Sequence, residues 1–368
     1  MVFTKNDLCE LKVHSVNDIN MSNWQITYTI DMLTTVNNKF DVLSKINDLI
    51  NQGIKKSNIF VTDKSFLIST NYKTYFEKGD ILKNTPNMII KIASIGRMIT
   101  MEYNEDMVKI NCLIAYYKRL NSIMNDNLGC RLRGQYLSES YTRIFNGNLE
   151  IAYATITQGA KQQVSDIFER YLSPDYKKMN RIIEKIEQEN DKQYKKNRSQ
   201  FEKSAVESVR KFEQAFNRLD RPILGVYDEN EHSFKIINTD QMYKNGEESD
   251  KQIKLKSISK NSPVLIALLV TGTMLSFIGY LVFRDHKVSN EVVNNEMLDI
   301  PQDQKELINN IFCNKDGVIF SEETNNHKMD NYLVDAQLMS IIEKNLSKLE
   351  NITNNKKVHL EITDKINY

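Results

Sequence analysis

The longest apolar stretch of the chain runs from Pro263 to Phe283 and contains no charged residue. A helix rises about 1.5 Å per residue, so a helix of this length would cover about 30 Å, the thickness of the hydrocarbon core of a bilayer. Ser262, directly before Pro263, makes a suitable N-cap and first-turn pair. The pattern therefore predicts one transmembrane helix, with the lipid bilayer as a partner. A helix buried inside a large domain is the alternative interpretation.

The cations that flank this stretch predict its orientation. Lys254, Lys256 and Lys260 precede it, whereas Arg284 and Lys287 follow it. Because an excess of lysine and arginine favours the cytoplasmic side, we expect a single-pass protein with residues 1–262 inside and residues 284–368 outside or in a lumen. The reverse orientation is the alternative. The N-terminus has no apolar run typical of a cleaved signal peptide.

Small residues recur on one face of the predicted membrane helix. Gly272, Ser276 and Gly279 are spaced by four and three positions. Small side chains let a second helix approach closely, so this face is a candidate helix contact that would also permit a homo-oligomer. Such residues are frequent in membrane helices generally, which is the alternative explanation.

Residues 1–172 mix the periodicities of helices and strands and predict an α+β domain with a mixed or antiparallel sheet. The predicted helices are Met32–Ile54 and Met107–Met124. The predicted strands are Gln25–Ile30, Asn58–Val61, Ser65–Ser69, Met88–Ile92, Arg97–Tyr103 and Leu149–Thr157. Thr62–Lys64 would be a hairpin turn between two of them.

Residues 173–221 predict a long helix that starts near Pro174 and ends near Leu219. Apolar residues cluster at its two ends with near-heptad spacing, which is typical of a stalk or a coiled coil. Two amphipathic helices packed on the domain are the alternative. Residues 222–262 predict a β-hairpin, Pro222–Tyr227 with Phe234–Asn238, followed by a polar juxtamembrane linker.

Residues 284–368 predict a small C-terminal α+β domain. The expected helices are Pro301–Ile311 and Asp330–Leu349, and the expected strands are Gly317–Ser321 and Lys357–Thr363. In the second helix the apolar face would consist of Leu333, Ala336, Met339, Ile342, Leu346 and Leu349. Asn345 and Asn351 begin glycosylation sequons, which an external location would allow to be used.

Composition adds little chemistry to this picture. The formal net charge is +1, and the four cysteines are too far apart for a metal or redox motif. The five histidines occur singly, and there is no nucleotide-binding, hydrolase or zinc-protease motif. We therefore predict no catalytic residue, no cofactor and no metal ligand. The basic residues between Lys177 and Arg198 are interrupted by acids, so a nucleic acid is not an expected partner.

These observations favour a membrane-anchored structural or adaptor protein that contacts other proteins through its N-terminal domain and long helix. The asparagine-rich composition suggests the virion envelope of a large DNA virus as one setting. A membrane-tethered enzyme with its site in residues 1–170 is one alternative. A surface attachment or fusion component, acting through the C-terminal domain, is another.

Overall fold

The computed structural model of the chain contains two compact units. The first comprises Met1–Gln52, Ile68–Thr70 and Asp240–Tyr368, and the second comprises Gly53–Leu67 and Asn71–Thr239. The structure describes residues 8–15, 21–65, 81–82, 86–146, 149–171, 175–237, 254–259, 265–271, 338, 340–342, 344, 345, 347 and 358–365.

The second unit combines five helices with five strands among its described residues. Its strands are β2 (Ile59–Ser65), β3 (Ile81–Leu82), β4 (Met98–Thr100), β5 (Pro222–Asp228) and β6 (Ser233–Ile236), with a 3-10 turn at Lys56–Asn58. Its helices are α2 (Pro86–Ser94), α3 (Glu105–Leu128), α4 (Gly134–Asn146), α5 (Leu149–Tyr171) and α6 (Tyr176–Arg218).

The sheet of this unit is antiparallel and has the order β3-β6-β5-β2-β4. The pairing of β5 with β6 confirms the predicted hairpin. Phe60 of β2 lies against Gly225 of β5, where an added Cβ would collide with the phenylalanine ring. Phe60 also packs edge-on against Phe234, with ring centroids 5.9 Å apart. The absence of a side chain at Gly225 therefore makes room for the aromatic core of the sheet.

Helix α3 is central to the helical layer and packs against α4, α5 and α6. Asn104 caps its N-terminus by accepting a hydrogen bond from the Met107 amide at 3.0 Å. Gly129 ends it in the left-handed conformation, with φ of 63°. The predicted helix Met107–Met124 is therefore confirmed.

The predicted long helix is confirmed as α6, a continuous helix of 43 residues capped by Asp175. Its apolar ends do not protrude, because Ile182, Ile186, Phe212 and Phe216 are buried inside the second unit. Such packing is expected of amphipathic helices that lie on the domain, which was the alternative to a stalk. The predicted domain boundaries along the chain stay predictions.

The first unit contains helix α1 (Asn23–Asn51) and a four-stranded antiparallel sheet. Its strands are β1 (Leu8–Ser15), β7 (Lys254–Ser259), β8 (Leu265–Thr271) and β9 (Val358–Lys365), in the order β7-β8-β1-β9. Strand β9 confirms the predicted strand at Lys357–Thr363, whereas β1 has no counterpart in the prediction.

The predicted transmembrane helix is wrong. The first part of the apolar stretch is β8, an inner strand hydrogen-bonded to β7 and β1. Gly272–Phe283 lies outside the described residues. Among the residues that the structure describes, no helix combines the length and apolar character needed to cross a bilayer. A short run of valine, isoleucine and leucine suits an inner strand as well as a helix, so its hydropathy alone was ambiguous.

The single-pass topology is wrong for a second reason. The residues of β1 were expected on the cytoplasmic side of the membrane and those of β9 on the opposite side. The two strands nevertheless pair, with His14 opposite His359. Adjacent strands lie about 4.8 Å apart, so they cannot be separated by a bilayer. Lys254–Ser259, expected in the polar linker that follows the hairpin, instead forms β7 and pairs with β8.

Three predicted strands are helical. Gln25–Ile30 belongs to α1, Met88–Ile92 to α2 and Leu149–Thr157 to α5. In α1 the Ser22 hydroxyl accepts from the Gln25 amide while the Gln25 side chain accepts from the Ser22 amide, a capping box that starts a helix. This local signal outweighs the strand preference of the threonines that follow.

The predicted turn at Thr62–Lys64 is also wrong, because these residues continue β2. Arg97–Tyr103 is a strand only at β4. The predicted elements Pro301–Ile311 and Gly317–Ser321, and residues 66–69, lie outside the described residues. The described residues of Asp330–Leu349 are helical; Leu338 and Ile341 are buried, and Ile342, which belongs to the predicted apolar face, is half-buried.

Candidate functional site

Of the residues singled out from the sequence, Lys254, Lys256 and Asn345 lie among those that the structure describes. Lys254 and Lys256 lie on strand β7, and Lys256 is exposed. Asn345 is fully buried, and its amide donates to the Ile341 carbonyl at 2.8 Å. A glycan acceptor has to reach solvent, so use of this sequon stays a prediction. The remaining candidates, Lys260, Gly272, Ser276, Gly279, Arg284 and Asn351, lie outside the described residues.

The second unit instead contains two cavities lined by cations. The first cavity, of about 450 Å³, lies between β4, the start of α3 and the C-terminal part of α6. Arg97, Lys211 and Arg218 are its cations, and Asp63 is an acid in its wall. The second cavity, of about 640 Å³, lies along α3. Its cations are Lys118, Arg131 and Arg133.

The wall of the first cavity is fixed by Asn111 of α3. Its side-chain oxygen accepts from the Met98 amide at 3.0 Å, and its side-chain nitrogen donates to the Met98 carbonyl at 2.6 Å. One amide side chain therefore satisfies both backbone groups of a residue in strand β4. Asp63 accepts from the Arg97 amide at 2.7 Å and fixes the residue beside it.

The second cavity is built on residues 130–133, which we call the clamped loop. The buried Gln163 side chain donates to the Arg131 carbonyl at 2.9 Å and accepts from the Arg133 amide at 3.0 Å. Asn121 accepts from the Leu132 amide at 2.9 Å, and the Tyr117 hydroxyl donates to the Leu132 carbonyl at 2.8 Å. Four hydrogen bonds from side chains therefore hold three consecutive residues of this loop.

The clamped loop exposes its two arginines while it buries the residue between them. Leu132 is 2% exposed, and both Arg131 and Arg133 are exposed. Gln163 and Asn121 hold the loop backbone through hydrogen bonds within the chain itself. Binding to this loop would therefore cost less conformational entropy than binding to a loop that had to be ordered first.

Few carboxylates neutralise these cations. Glu207 pairs with Lys211 at 3.1 Å, and Asp166 lies 3.7 Å from Arg133. For Arg97, Lys118, Arg131 and Arg218, the described part of the chain contains no ion pair. Asp63 is the one carboxylate among the described residues that line the two cavities.

The end of β2 contributes Asp63 to the first cavity and acts electrostatically on Lys118 of the second. Arg218 donates to the Asp63 carbonyl at 3.4 Å, and Lys64 donates to the Ser94 carbonyl at 3.4 Å. Partial burial lowers the pKa of Lys118, the neighbouring charge of Lys64 lowers it further, and Asp63 acts in the opposite direction. We call the cations of the two cavities, together with Lys64, the basic surface. Its members are Lys64, Arg97, Lys118, Arg131, Arg133, Lys211 and Arg218.

A third cluster of polar groups lies at the tip of the β5–β6 hairpin. The Tyr227 hydroxyl lies 2.9 Å from Nδ1 of His232 and donates to Asp106 at 3.3 Å. His232 has a positive φ of 47° and stacks on Phe145, with centroids 3.6 Å apart. Burial raises the pKa of Tyr227, and the charge of nearby Asp106 adds to that effect.

This hairpin-tip cluster contains the residue types of acid–base catalysis, but it is self-contained. Tyr141 donates to the His232 carbonyl at 2.8 Å, so the tip is anchored to helix α4. Neither of the two cavities is lined by Asp106, Tyr227 or His232. We therefore interpret the cluster as an anchor for the hairpin.

Among the described residues, no group of three histidine, cysteine, aspartate or glutamate side chains has the geometry to hold a metal ion. Comparison of the chain with protein-family models, curated proteins and solved structures finds no match. The charge and geometry of the basic surface are therefore the features from which the function is inferred.

The sequence contained one local signal of this site that the sequence analysis did not use. Residues 129–133 read Gly-Cys-Arg-Leu-Arg, a helix-ending glycine followed by an apolar residue between two arginines. The contribution of Lys118 and Gln163 had no such signal, because tertiary packing brings them to the loop.

Proposed function

We propose that the second unit is an adaptor module that binds an acidic segment of another protein across the basic surface. The charge of the two cavities is the observation that carries this proposal. Their walls contain six cations and, among the described residues, one carboxylate, Asp63. An anionic ligand would offset the repulsion among these cations, and complementary charge promotes both association and specificity.

A protein segment fits this surface better than a nucleic acid does. Asp63 lines the first cavity and acts electrostatically on Lys118 of the second, and it would repel a continuous row of phosphates. A peptide can place a neutral residue opposite Asp63. Tyr117 offers little stacking surface in the second cavity, because it is buried and its hydroxyl is bound to the loop. Ile90, which is 40% exposed, adds apolar surface at the second cavity.

The proposal keeps the protein-binding role that the sequence predicts and omits attachment to a bilayer. The enzyme alternative stays a prediction; the walls of the two cavities are rich in cations and amides, and Asp63 is their one described carboxylate. The surface-attachment alternative depends on residues 284–368, most of which lie outside the described residues. A role for those residues stays a prediction.

Binding of labelled peptides to the full chain tests the proposal. A glutamate-rich peptide with a few apolar residues should bind, and its glutamine counterpart should not. Fluorescence anisotropy at about 50 and 200 mM salt should show weaker binding at the higher concentration, because exposed charge pairs are screened by salt. Arg97→Glu and Arg131→Glu should each weaken binding by about tenfold or more.

Lys235→Glu is the matched control, because Lys235 is exposed on β6 and lines neither cavity. This variant changes the net charge by the same amount but should leave affinity within about twofold. Equal losses in all three variants would mean that net charge alone attracts the peptide. Tighter binding of a single-stranded oligonucleotide than of the acidic peptide would overturn the choice of a protein partner.

A further inference from the structure

We infer that the second cavity binds a phosphate monoester, so that the acidic partner is recognised with a phosphorylated side chain at the clamped loop. This inference rests on the proposed function and assigns a ligand class to one part of its surface. Three observations carry it: the chemistry of the cations, the rigidity of the loop and the composition of the cavity wall.

The cations are of the kind that recognises phosphate. Arg131 and Arg133 carry planar guanidinium groups, each able to donate two parallel hydrogen bonds to one phosphate. Lys118 adds a point charge from α3. Asp166, at 3.7 Å, partly neutralises Arg133, so Arg131 and Lys118 contribute most of the available charge. A phosphate monoester carries close to two negative charges at neutral pH, which two such cations can balance.

The loop that presents the arginines is held before any ligand arrives. Gln163, which is 4% exposed, bonds to the backbone on both sides of Leu132. A glutamine at this depth that bonds twice to one loop fixes the separation of the two arginine Cα atoms. Preorganised donors bind a compact anion with a smaller loss of entropy than mobile lysines would.

The wall of the second cavity favours a dianion over a carboxylate. In the part of the chain that the structure describes, no acid lines this cavity, whereas Asp63 lines the first one. Asn121, Ser122 and Asn125 add polar groups next to the cations. Two acids lie just outside the wall: Asp166 is 3.7 Å from Arg133, and Asp126 accepts from the Ser122 hydroxyl at 3.1 Å. On the β2 side, the charges of Lys64 and Asp63 have opposing effects on Lys118.

The test compares three versions of one acidic peptide, with serine, phosphoserine or glutamate at the central position. The phosphoserine peptide should bind the full chain at least about tenfold more tightly than the serine peptide. Glutamate should recover only a small part of this gain, because it carries one charge. Arg131→Gln and Lys118→Gln should reduce the phosphoserine preference to about twofold or less. Arg97→Gln, in the first cavity, should weaken all three peptides and leave the preference unchanged.

Two further measurements separate phosphate recognition from a general loss of charge or of fold. Arg131→Lys keeps the charge but removes the planar guanidinium that can donate two parallel hydrogen bonds. The preference for phosphoserine should therefore fall to an intermediate value. Raising the pH from about 5 to 7.5 should increase the preference, because the phosphate takes its second charge near pH 6. Circular dichroism and thermal unfolding of each variant should match the wild type.

The outcomes distinguish the two proposals. Binding of all three peptides with equal affinity would overturn the phosphate site and leave the adaptor function standing. Direct binding of free phosphoserine, without binding of any peptide, would support the site and overturn the adaptor function. Equal competition by inorganic phosphate and phosphoserine would indicate that the cavity takes the bare anion, which would overturn recognition of a side chain. If no probe binds, both proposals are wrong.

Discussion

The two cavities of the second unit share a construction but differ in charge. In each, a side-chain amide from a helix clamps a backbone segment: Asn111 holds Met98 in the first, and Gln163 holds the clamped loop in the second. The first cavity then places Asp63 among its cations, whereas the described wall of the second contains no acid. Rigidity is therefore common to both, and the available charge distinguishes them.

The largest effect should come from Gln163→Ala, which tests whether the clamp of the second cavity is structural. The substitution leaves the part-buried Arg131 carbonyl and Arg133 amide without their side-chain partner, so the free energy of unfolding should fall by about 2–3 kcal/mol. Urea unfolding of the variant and the wild type measures this difference.

Gln162→Ala is the control for that measurement. Gln162 is the exposed neighbour and bonds to Asp166 on the surface, so its loss should cost less than about 0.5 kcal/mol. Equal stability of the two variants would mean that solvent replaces Gln163 and that the loop is not rigidly held.

Asn111→Ala should have a smaller effect, because strand β4 lies at an edge of the sheet and water can reach part of the vacated site. We expect a loss of about 1–2 kcal/mol in the free energy of unfolding, again by urea unfolding. Amide hydrogen exchange should accelerate at Met98 and remain slow at Leu132. Acceleration at both positions would show that the two backbone segments open together and are not held independently.

The pKa of one tyrosine in each cavity wall tests the difference in charge between the two cavities. Burial raises the pKa of Tyr117, and the charge of Arg131 partly offsets this. Burial also raises the pKa of Tyr103, to which the charge of Glu105 adds. Each folded phenol therefore holds a proton that the unfolded chain loses, so stability is present below about pH 10 and is lost as the pH rises beyond it.

Titration of ¹³C-labelled tyrosine by NMR separates the two cavities. Arg131→Gln should raise the pKa of Tyr117 further and leave that of Tyr103 unchanged. Glu105→Gln should lower the pKa of Tyr103 and leave that of Tyr117 unchanged. A change in the pKa of both tyrosines in either variant would indicate that the cavities are electrostatically coupled.

The smallest change in stability should come from Lys118→Gln. Because the pKa of Lys118 is lowered, its charged form is less favourable in the folded chain, and stability rises as the pH increases through that pKa. The side chain is exposed, so solvent screens most of this cost. Thermal unfolding at neutral pH should therefore show a gain of no more than about 0.5 kcal/mol. A loss of stability would mean that Lys118 is already neutralised by a carboxylate.

Local signals predicted some elements well. The hairpin at Pro222–Ile236 followed from β-branched residues around a turn-rich segment, and α3 and α6 followed from apolar periodicity and capping residues. The apolar stretch failed because hydropathy does not distinguish an inner strand from a membrane helix over the length of β8. The strand predicted at Leu149–Thr157 failed because Ala152, Tyr153 and Ile156 form a buried helical face.

The candidate site was largely beyond prediction from one sequence. Arg131 and Arg133 were visible as a pair, but Gln163 is thirty or more positions away along the chain and bonds to them only in the folded unit. Lys64 and Lys118 come from a strand and a helix that tertiary packing brings together. Clusters of this kind depend on long-range contacts that local periodicity does not encode.

The pairing of β1 with β9 has a consequence for synthesis on the ribosome. The described strands of the second unit lie within residues 53–239, so its sheet can form while residues 240–368 are still being translated. Strand β1 must wait for Val358–Lys365 to emerge before it gains its second neighbour. Residues near the start of the chain therefore spend most of translation with an unsatisfied strand edge, which makes this segment a natural client for nascent-chain chaperones.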